Sequence, residues 1–339
     1  MFLLGLFGLA AMGGAAYAIS DVFSGDEDED NDDVIEEDAV EDIPEGNLLE
    51  IDDSFEDPAE AEDASTGTIL SDVDGNLVIA GGPGVDNLSG VEGNDQINGY
   101  DGDDIIDGGA GNDTLFGADG DDTLNGNTGN DALHGGNGHD DLSGNAGDDI
   151  LYGHAGDDQL VGGEGDDDLY GGQGNDDLAG GEGEDALQGG DGEDMLAGGA
   201  GADTLFGGDG NDTLTGRDDG DTPASDFLNG GAGDDTILAG AGDVVTGGQG
   251  ADQIAIDGTG TGKEVSIVDF TPGEDKLLIE WNGPDTPDIG IEQDADNADL
   301  TRVLVNGREV AYLFGAQGLG PEDIQLTPGL DPTLTSPKG

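Results

Sequence analysis

Residues 108–116 read GGAGNDTLF and residues 117–125 read GADGDDTLN. The same nine-residue pattern opens at Gly81 with GGPGVDNLS and continues to GGDGNDTLT, which ends at Thr215, a span of 135 residues or 15 units. In all 15 units the first and fourth positions are Gly, the sixth is Asp and the eighth is Leu or Ile, 60 matches in 60. Biased composition does not keep such a register. The tract is therefore a repeat architecture in which each unit is one structural element stacked on its neighbours.

Each unit divides into a turn and a short strand. In G-x-x-G-x-D the glycines supply backbone geometry that a Cβ would forbid and let carbonyls converge. The closing x-Leu-x alternates out, in, out, so one apolar side chain per unit faces inward. Two units then complete one turn of a flattened coil, with the leucines of odd and even units meeting in the middle. Stacked strands lie ~4.8 Å apart, which puts Asp104 over Asp122 and Asp113 over Asp131.

Two carboxylates ~5 Å apart repel by roughly 1 kcal/mol in water and by ~3 kcal/mol at an effective dielectric of 20. Fifteen units leave 13 such pairs. A hard divalent cation between successive loops removes the repulsion and takes up the Asp carboxylates and convergent carbonyls as ligands. Flexible, carbonyl-rich, multi-carboxylate loops suit the six to eight ligands of Ca²⁺ better than the tight octahedron of Mg²⁺. Zinc would want Cys, which is absent, or His. His134, His139 and His154 fall at the ninth, fifth and second positions of their units, share no register and read as variable surface residues. About 13 or more Ca²⁺ ions are expected, and the metal-free chain is expected to be unfolded.

The register breaks at GRDDGDTPASDFLN (216–229), resumes with GGAGDDTIL (230–238), shortens at AGAGDVVT (239–246) and closes with GGQGADQIA (247–255). Beyond Ala255, EVSIVDF, KLLIEW, TRVLVN and REVAYLF read as strands, with Pro272-Gly273-Glu274-Asp275 and Asn306-Gly307 as turns. Ahead of the repeats, TILSDVDGNLVIA (68–80) reads as a hairpin turning at Asp74-Gly75.

The charge balance narrows the function. The chain has 339 residues, 81 of them acidic and six basic, and residues 1–216 contain no Lys or Arg. Arg217, Lys263, Lys276, Arg302, Arg308 and Lys338 are too scattered to form a patch, so nucleic acid and anionic membranes are excluded as partners. The absence of Cys excludes disulfides, thiolate metal sites and a Cys nucleophile. Residues 2–19 (FLLGLFGLAAMGGAAYAI) read equally as a signal peptide, with Ala16-Tyr17-Ala18 as a cleavage site, or as a short anchor. Residues 21–63 hold 22 Asp or Glu in 43 positions, which makes them a disordered acidic linker.

The repeat GGxGxDxUx resembles the RTX, or hemolysin-type, calcium-binding nonapeptide over residues 81–255, and VSIVDFTPGEDKLLI (265–279) is similar to the module that follows such repeats in serralysin-type secreted proteins. The resemblance implies an all-β fold, a parallel β-roll with a small C-terminal β cap. It also implies export of the unfolded chain by a type I secretion apparatus, with LTPGLDPTLTSPKG as the tail of the secretion signal. Carried over position by position, the calcium ligands are Asp86, Asp95, Asp104, Asp113, Asp122, Asp131, Asp140, Asp149, Asp158, Asp167, Asp176, Asp185, Asp194, Asp203 and Asp212, with Asp235 and Asp252 after the interruption. Asp221 and Asp243 stand in irregularly spaced repeats and are not carried over. The second Gly is present in nine of the 15 units. Val91, Tyr100, Ala118, Asn127, Asn145 and His154 replace it, so weaker sites are expected there.

The expected organisation is an apolar signal or anchor (1–20), an acidic linker (21–64), a cap hairpin (65–80), a calcium-binding roll (81–255) and a C-terminal β cap (256–339). Low-complexity disorder is the competing reading, since Gly and Pro total 80 residues, but the perfect period argues against it. No HExxH or GxSxG constellation occurs and the segment before the repeats is too short and acidic for a catalytic domain, so no enzyme is expected. A surface adhesin or matrix component, or the non-catalytic remnant of a secreted RTX hydrolase, is the alternative to an extracellular calcium-binding protein. An anionic polysaccharide would require basic side chains on the roll. An ice-binding face would require a Thr ladder, whereas the seventh position has Thr only at Thr114, Thr123, Thr204 and Thr213.

Overall fold

A strand of three residues per unit is the least the sequence demands; from Asn87–Glu92 to Thr204–Asp209 the strands are in fact six residues long. The computed structural model describes residues 67–217, 224–259 and 262–328. Within them Ile105–Ala110, Thr114–Asp119 and Thr123–Thr128 each run from the seventh position of one unit to the third of the next. Only positions four to six are left for the turn. Position-four Gly120 takes φ 141°, a value open to glycine and strained for other residues.

Strands pair with the strand two units away. Ile106 faces Leu124, and Leu124 faces Leu142, in one sheet, while Leu115 faces Leu133 in the other. Successive strands thus alternate between a 15-stranded and a 12-stranded sheet, parallel along the whole repeat, and each pair of units makes one turn of the coil. The position-eight residues from Leu88 to Leu214 are at most 2% exposed and form the spine of a single apolar cluster. One inward Leu or Ile per nine residues is a thin core. That is why so much of the remaining stability must come from the turns.

The regular spacing ends near Ala255, but the coil continues. Gln253–Asp257 pairs in parallel with Lys276–Glu280, which pairs with Ile324–Thr327. Val244–Gln249 pairs with Val265–Ile267, which pairs with Arg308–Phe314. Among the described residues, only Ile289–Gln293 and Leu300–Val305 add antiparallel strands at that end. At the other end Thr68–Val73 and Asn76–Ala80 form the expected antiparallel hairpin, with Asp74 and Gly75 both at positive φ. Ile289–Gln293 and Ile324–Thr327 carry no strong sequence signal and are strands that the sequence alone does not announce. The core broadens here, adding Ile256, Phe270, Ile279 and Val303. No helix among the described residues is long and apolar enough to cross a membrane. The apolar segment 2–19 and the acidic linker lie outside the described residues.

Candidate cation ladders

Stacking with a two-unit period turns the sixth-position aspartates into two continuous columns. In one, the backbone N–H of Asp86 donates to Oδ1 of Asp104, Asp104 to Asp122, Asp122 to Asp140, Asp140 to Asp158 and Asp158 to Asp176, all at 2.8–2.9 Å. The same bond carries the column on through Asp194, Asp212, Asp235, Asp252 and Asp275, at 2.8–3.1 Å. The second column starts at Asp95 and runs through Asp113, Asp131, Asp149, Asp167, Asp185, Asp203, Asp226 and Asp243, at 2.7–3.0 Å. All 17 aspartates expected from the repeat stand in these columns, at most 3% exposed.

Three further rungs lie outside the expected set: Asp226, Asp243 and Asp275. Asp226 and Asp275 each precede an inward-facing Leu by two residues, as Asp212 precedes Leu214, and Asp243 precedes Val245 in the same way. Distance to the apolar residue, rather than to the preceding Gly, is the legible signal. Asp221 lies outside the described residues.

Each rung uses one carboxylate oxygen for the ladder and leaves the other. Oδ2 of every rung from Asp104 to Asp194, and of Asp95, Asp212, Asp235 and Asp252, is buried with no hydrogen-bond donor. A buried, unpartnered carboxylate oxygen is costly. At three rungs the fold supplies a donor to that atom itself: Gly82 N–H donates to Oδ2 of Asp86 at 2.5 Å, Gly240 N–H to Oδ2 of Asp243 and Thr271 N–H to Oδ2 of Asp275, both at 2.6 Å. From Asp104 to Asp194 no such donor reaches Oδ2.

Gly117 shows what occupies the space instead. A Cβ there would lie 2.2 Å from Oδ2 of Asp122 and 2.7 Å from the carbonyl oxygen of Gly135, and Gly162 and Gly189 present the same pair of oxygens. At these three glycines the lack of a Cβ therefore makes room for the carboxylate oxygen of the same unit and for a carbonyl oxygen of the next turn. No group of three or more carboxylate or imidazole side chains converges among the described residues, so any cation here must be completed by main-chain carbonyls. Oxygen-only donors of this kind fit a hard cation such as Ca²⁺.

Burial and neighbouring charge both oppose ionisation of the rungs. Burial pushes the carboxyls of Asp140, Asp176 and Asp185 up to about 7 and those of Asp113, Asp122, Asp131 and Asp149 up to about 6, against the lowering effect of the ladder bond. Neighbouring rungs add like-charge repulsion, as Asp158 and Asp122 do at Asp140. At the far end of the chain a fixed ammonium has the opposite effect. Lys276 Nζ lies 3.3 Å from Oδ1 of Asp323, which also accepts from Gly273 N–H, while Gly320 N–H serves Oδ2. Burial opposes ionisation of Asp323, but these donors outweigh it and hold the carboxyl below its usual range.

A further pair of ladders runs along the fifth position, whose residue type varies from unit to unit. Asn94 Oδ1 accepts from Asn112 N–H, Asn112 from Asn130 and Asn130 from Asp148; on the other edge Asp103 accepts from Asp121 and Asp121 from His139. These bonds point the opposite way along the coil from those of position six. His139 is a member, since its Nδ1 accepts from Asp157 N–H at 2.9 Å. Nor are the other two histidines isolated: Nδ1 of His134 lies 3.2 Å from Nε2 of His154. The 20-residue step that joins them also joins Asn127 to Asp107 and Asn145 to Asn125. A side chain at position two thus reaches position nine of the neighbouring strand in the same sheet.

The family model described as the RTX calcium-binding nonapeptide repeat matches six overlapping stretches that together cover residues 80–254. Curated protein sequences give no match. Among solved structures, the extracellular lipase LipA from Serratia marcescens is similar at 16% identity and a TM-score of 0.26, over 76% of this chain and 41% of the lipase. The chain thus spans about two fifths of that protein's length. The family match covers more than half of the 339 residues and coincides with the units that build both aspartate ladders, so the chain belongs to the RTX calcium-binding nonapeptide repeat family.

Proposed function

We propose that this protein is a non-enzymatic, extracellular calcium-binding roll that folds as Ca²⁺ fills its ladders after export through a type I secretion apparatus. One observation carries the reading: the rungs from Asp104 to Asp194 bury a carboxylate oxygen with no donor, whereas Asp243 and Asp275 receive one from the backbone. Ca²⁺ would supply the missing positive charge between successive rungs, held by the sixth-position Asp and the first-position carbonyls. The family to which the chain belongs supports this assignment. Sites of ~10⁻⁴ to 10⁻³ M affinity would stay empty in a cytosol and fill in millimolar calcium outside. Folding on exit would then oppose backsliding.

Calcium titration of the chelator-treated full chain, followed by circular dichroism and calorimetry, tests the proposal. A cooperative gain of β signal with uptake of many ions per chain is expected. A native β spectrum in excess EGTA at about pH 8, above the raised carboxyl pKa values, would refute it.

A further inference from the structure

The outer face of the 15-stranded sheet carries a feature that calcium binding does not use. Position-nine side chains of successive strands stack there: Phe116 on His134, His134 on Tyr152 and Tyr152 on Tyr170, with centroids 4.8–4.9 Å apart and planes within 10°. The ladder stops at Tyr170, because the next residue in register is Gln188, followed by Phe206. Beside that break lies a groove of about 360 Å³.

Its floor is main chain. Gly172 and Gly190 are paired in register and Gly208 continues the row, so no side chain fills it. One wall is Tyr170 and Gln188; the other is Gln173 and Asp191. His154 stands in register with Gly172 at the position-two column and closes one end. The groove therefore runs along the coil axis, with a repeat of ~4.8 Å per strand. Tyr170 is 36% exposed, which leaves part of its aromatic surface free in the groove.

We infer that this groove binds a neutral polysaccharide. An aromatic face takes the C–H face of a pyranose ring, while the amides of Gln173 and Gln188 and the carboxylate of Asp191 exchange hydrogen bonds with hydroxyl groups. A polyanion is excluded by the net charge of −75 and by the absence of Lys and Arg before Arg217. An apolar ligand would lack an apolar floor. A polycation would be drawn to the acidic surface everywhere and released by salt, without need of Tyr170. A polymer repeating along its axis suits a groove whose walls repeat along theirs.

Affinity electrophoresis of the full chain in millimolar Ca²⁺, through native gels containing a neutral glucan, mannan or galactan, tests this. Retardation by at least one polymer is expected, unchanged in about 0.5 M NaCl. Tyr170→Ala should weaken it roughly tenfold, while Tyr170→Phe and the off-groove control Phe116→Ala retain it. Calcium-induced circular dichroism, recorded on each variant, separates loss of the groove from loss of the fold and from failure of the calcium reading. No retardation by any polymer, equal retardation of a folded Tyr170→Ala chain, or retardation abolished by salt would overturn the inference.

Discussion

The backbone N–H of Asp113 donates to Oδ1 of Asp131 at 2.7 Å, while Oδ2 of the same Asp131 is buried without a donor. One carboxylate therefore has two separable tasks, holding the next turn and binding a cation. Asp131→Asn keeps an oxygen that can accept the ladder bond and removes the charge; Asp131→Ala removes both. We expect calorimetry to show fewer ions bound by both variants. Chemical denaturation in calcium should show Ala less stable than Asn by about 0.5–1.5 kcal/mol, the worth of the hydrogen bond. Equal stability of the two would deny the ladder bond its role.

Acid should act oppositely on the calcium-free and calcium-bound chains. The folded carboxyls of Asp140, Asp176 and Asp185 titrate near 7 and that of Asp131 near 6, above the ~3.9 of an unfolded Asp. A raised folded pKa contributes stability that is complete below the unfolded value and is lost as pH rises through the folded one. In EGTA, β signal should therefore grow as pH falls from about 8 to about 4. In calcium, protons compete for the same oxygens, so the calcium concentration at half-saturation should rise below about pH 7. Circular dichroism across pH, with and without EGTA, reads both.

Ala118 sits at position two with φ 95°, in a column where most units have Gly. Its Cβ gains no hydrogen bond in return, unlike the amide of Asn127. Ala118→Gly should stabilise the calcium-bound roll by about 1 kcal/mol, since Gly adopts this backbone conformation without strain. A thermal melt in saturating calcium measures it, and a lower midpoint would contradict the strain argument.

The interrupted unit offers a direct contest between spacing and structure. Asp226 bridges Asp203 and Asp243, accepting from the first and donating to the second at 2.9 and 3.0 Å. Asp226→Ala should lower calcium stoichiometry and weaken the junction. Asp221→Ala should leave both unchanged by calorimetry.

Lys276 places a positive charge 3.3 Å from Oδ1 of Asp323. Lys276→Met should destabilise the C-terminal turn by about 1–3 kcal/mol, because a buried carboxylate loses a charged partner. Hydrogen exchange of Ile324–Thr327 should rise accordingly, while calcium uptake by the preceding ladders is retained.

The nine-residue period by itself determined the parallel two-sheet coil, the inward Leu and Ile spine and the columns of sixth-position Asp. Each depends only on which residues recur and on the alternation of a strand. Tertiary stacking decided the rest. Asp113 and Asp131 are 18 residues apart, Asp203 and Asp226 are 23 apart, and Asp226 and Asp243 are 17 apart, yet all three pairs are equivalent rungs. Sheet pairing, rather than loop length, fixes which residues meet. The fifth-position ladder, the His134–His154 contact and the groove beside Tyr170 were illegible for the same reason. Each joins residues of different turns whose side chains become neighbours only when hydrogen bonds between turns set the register.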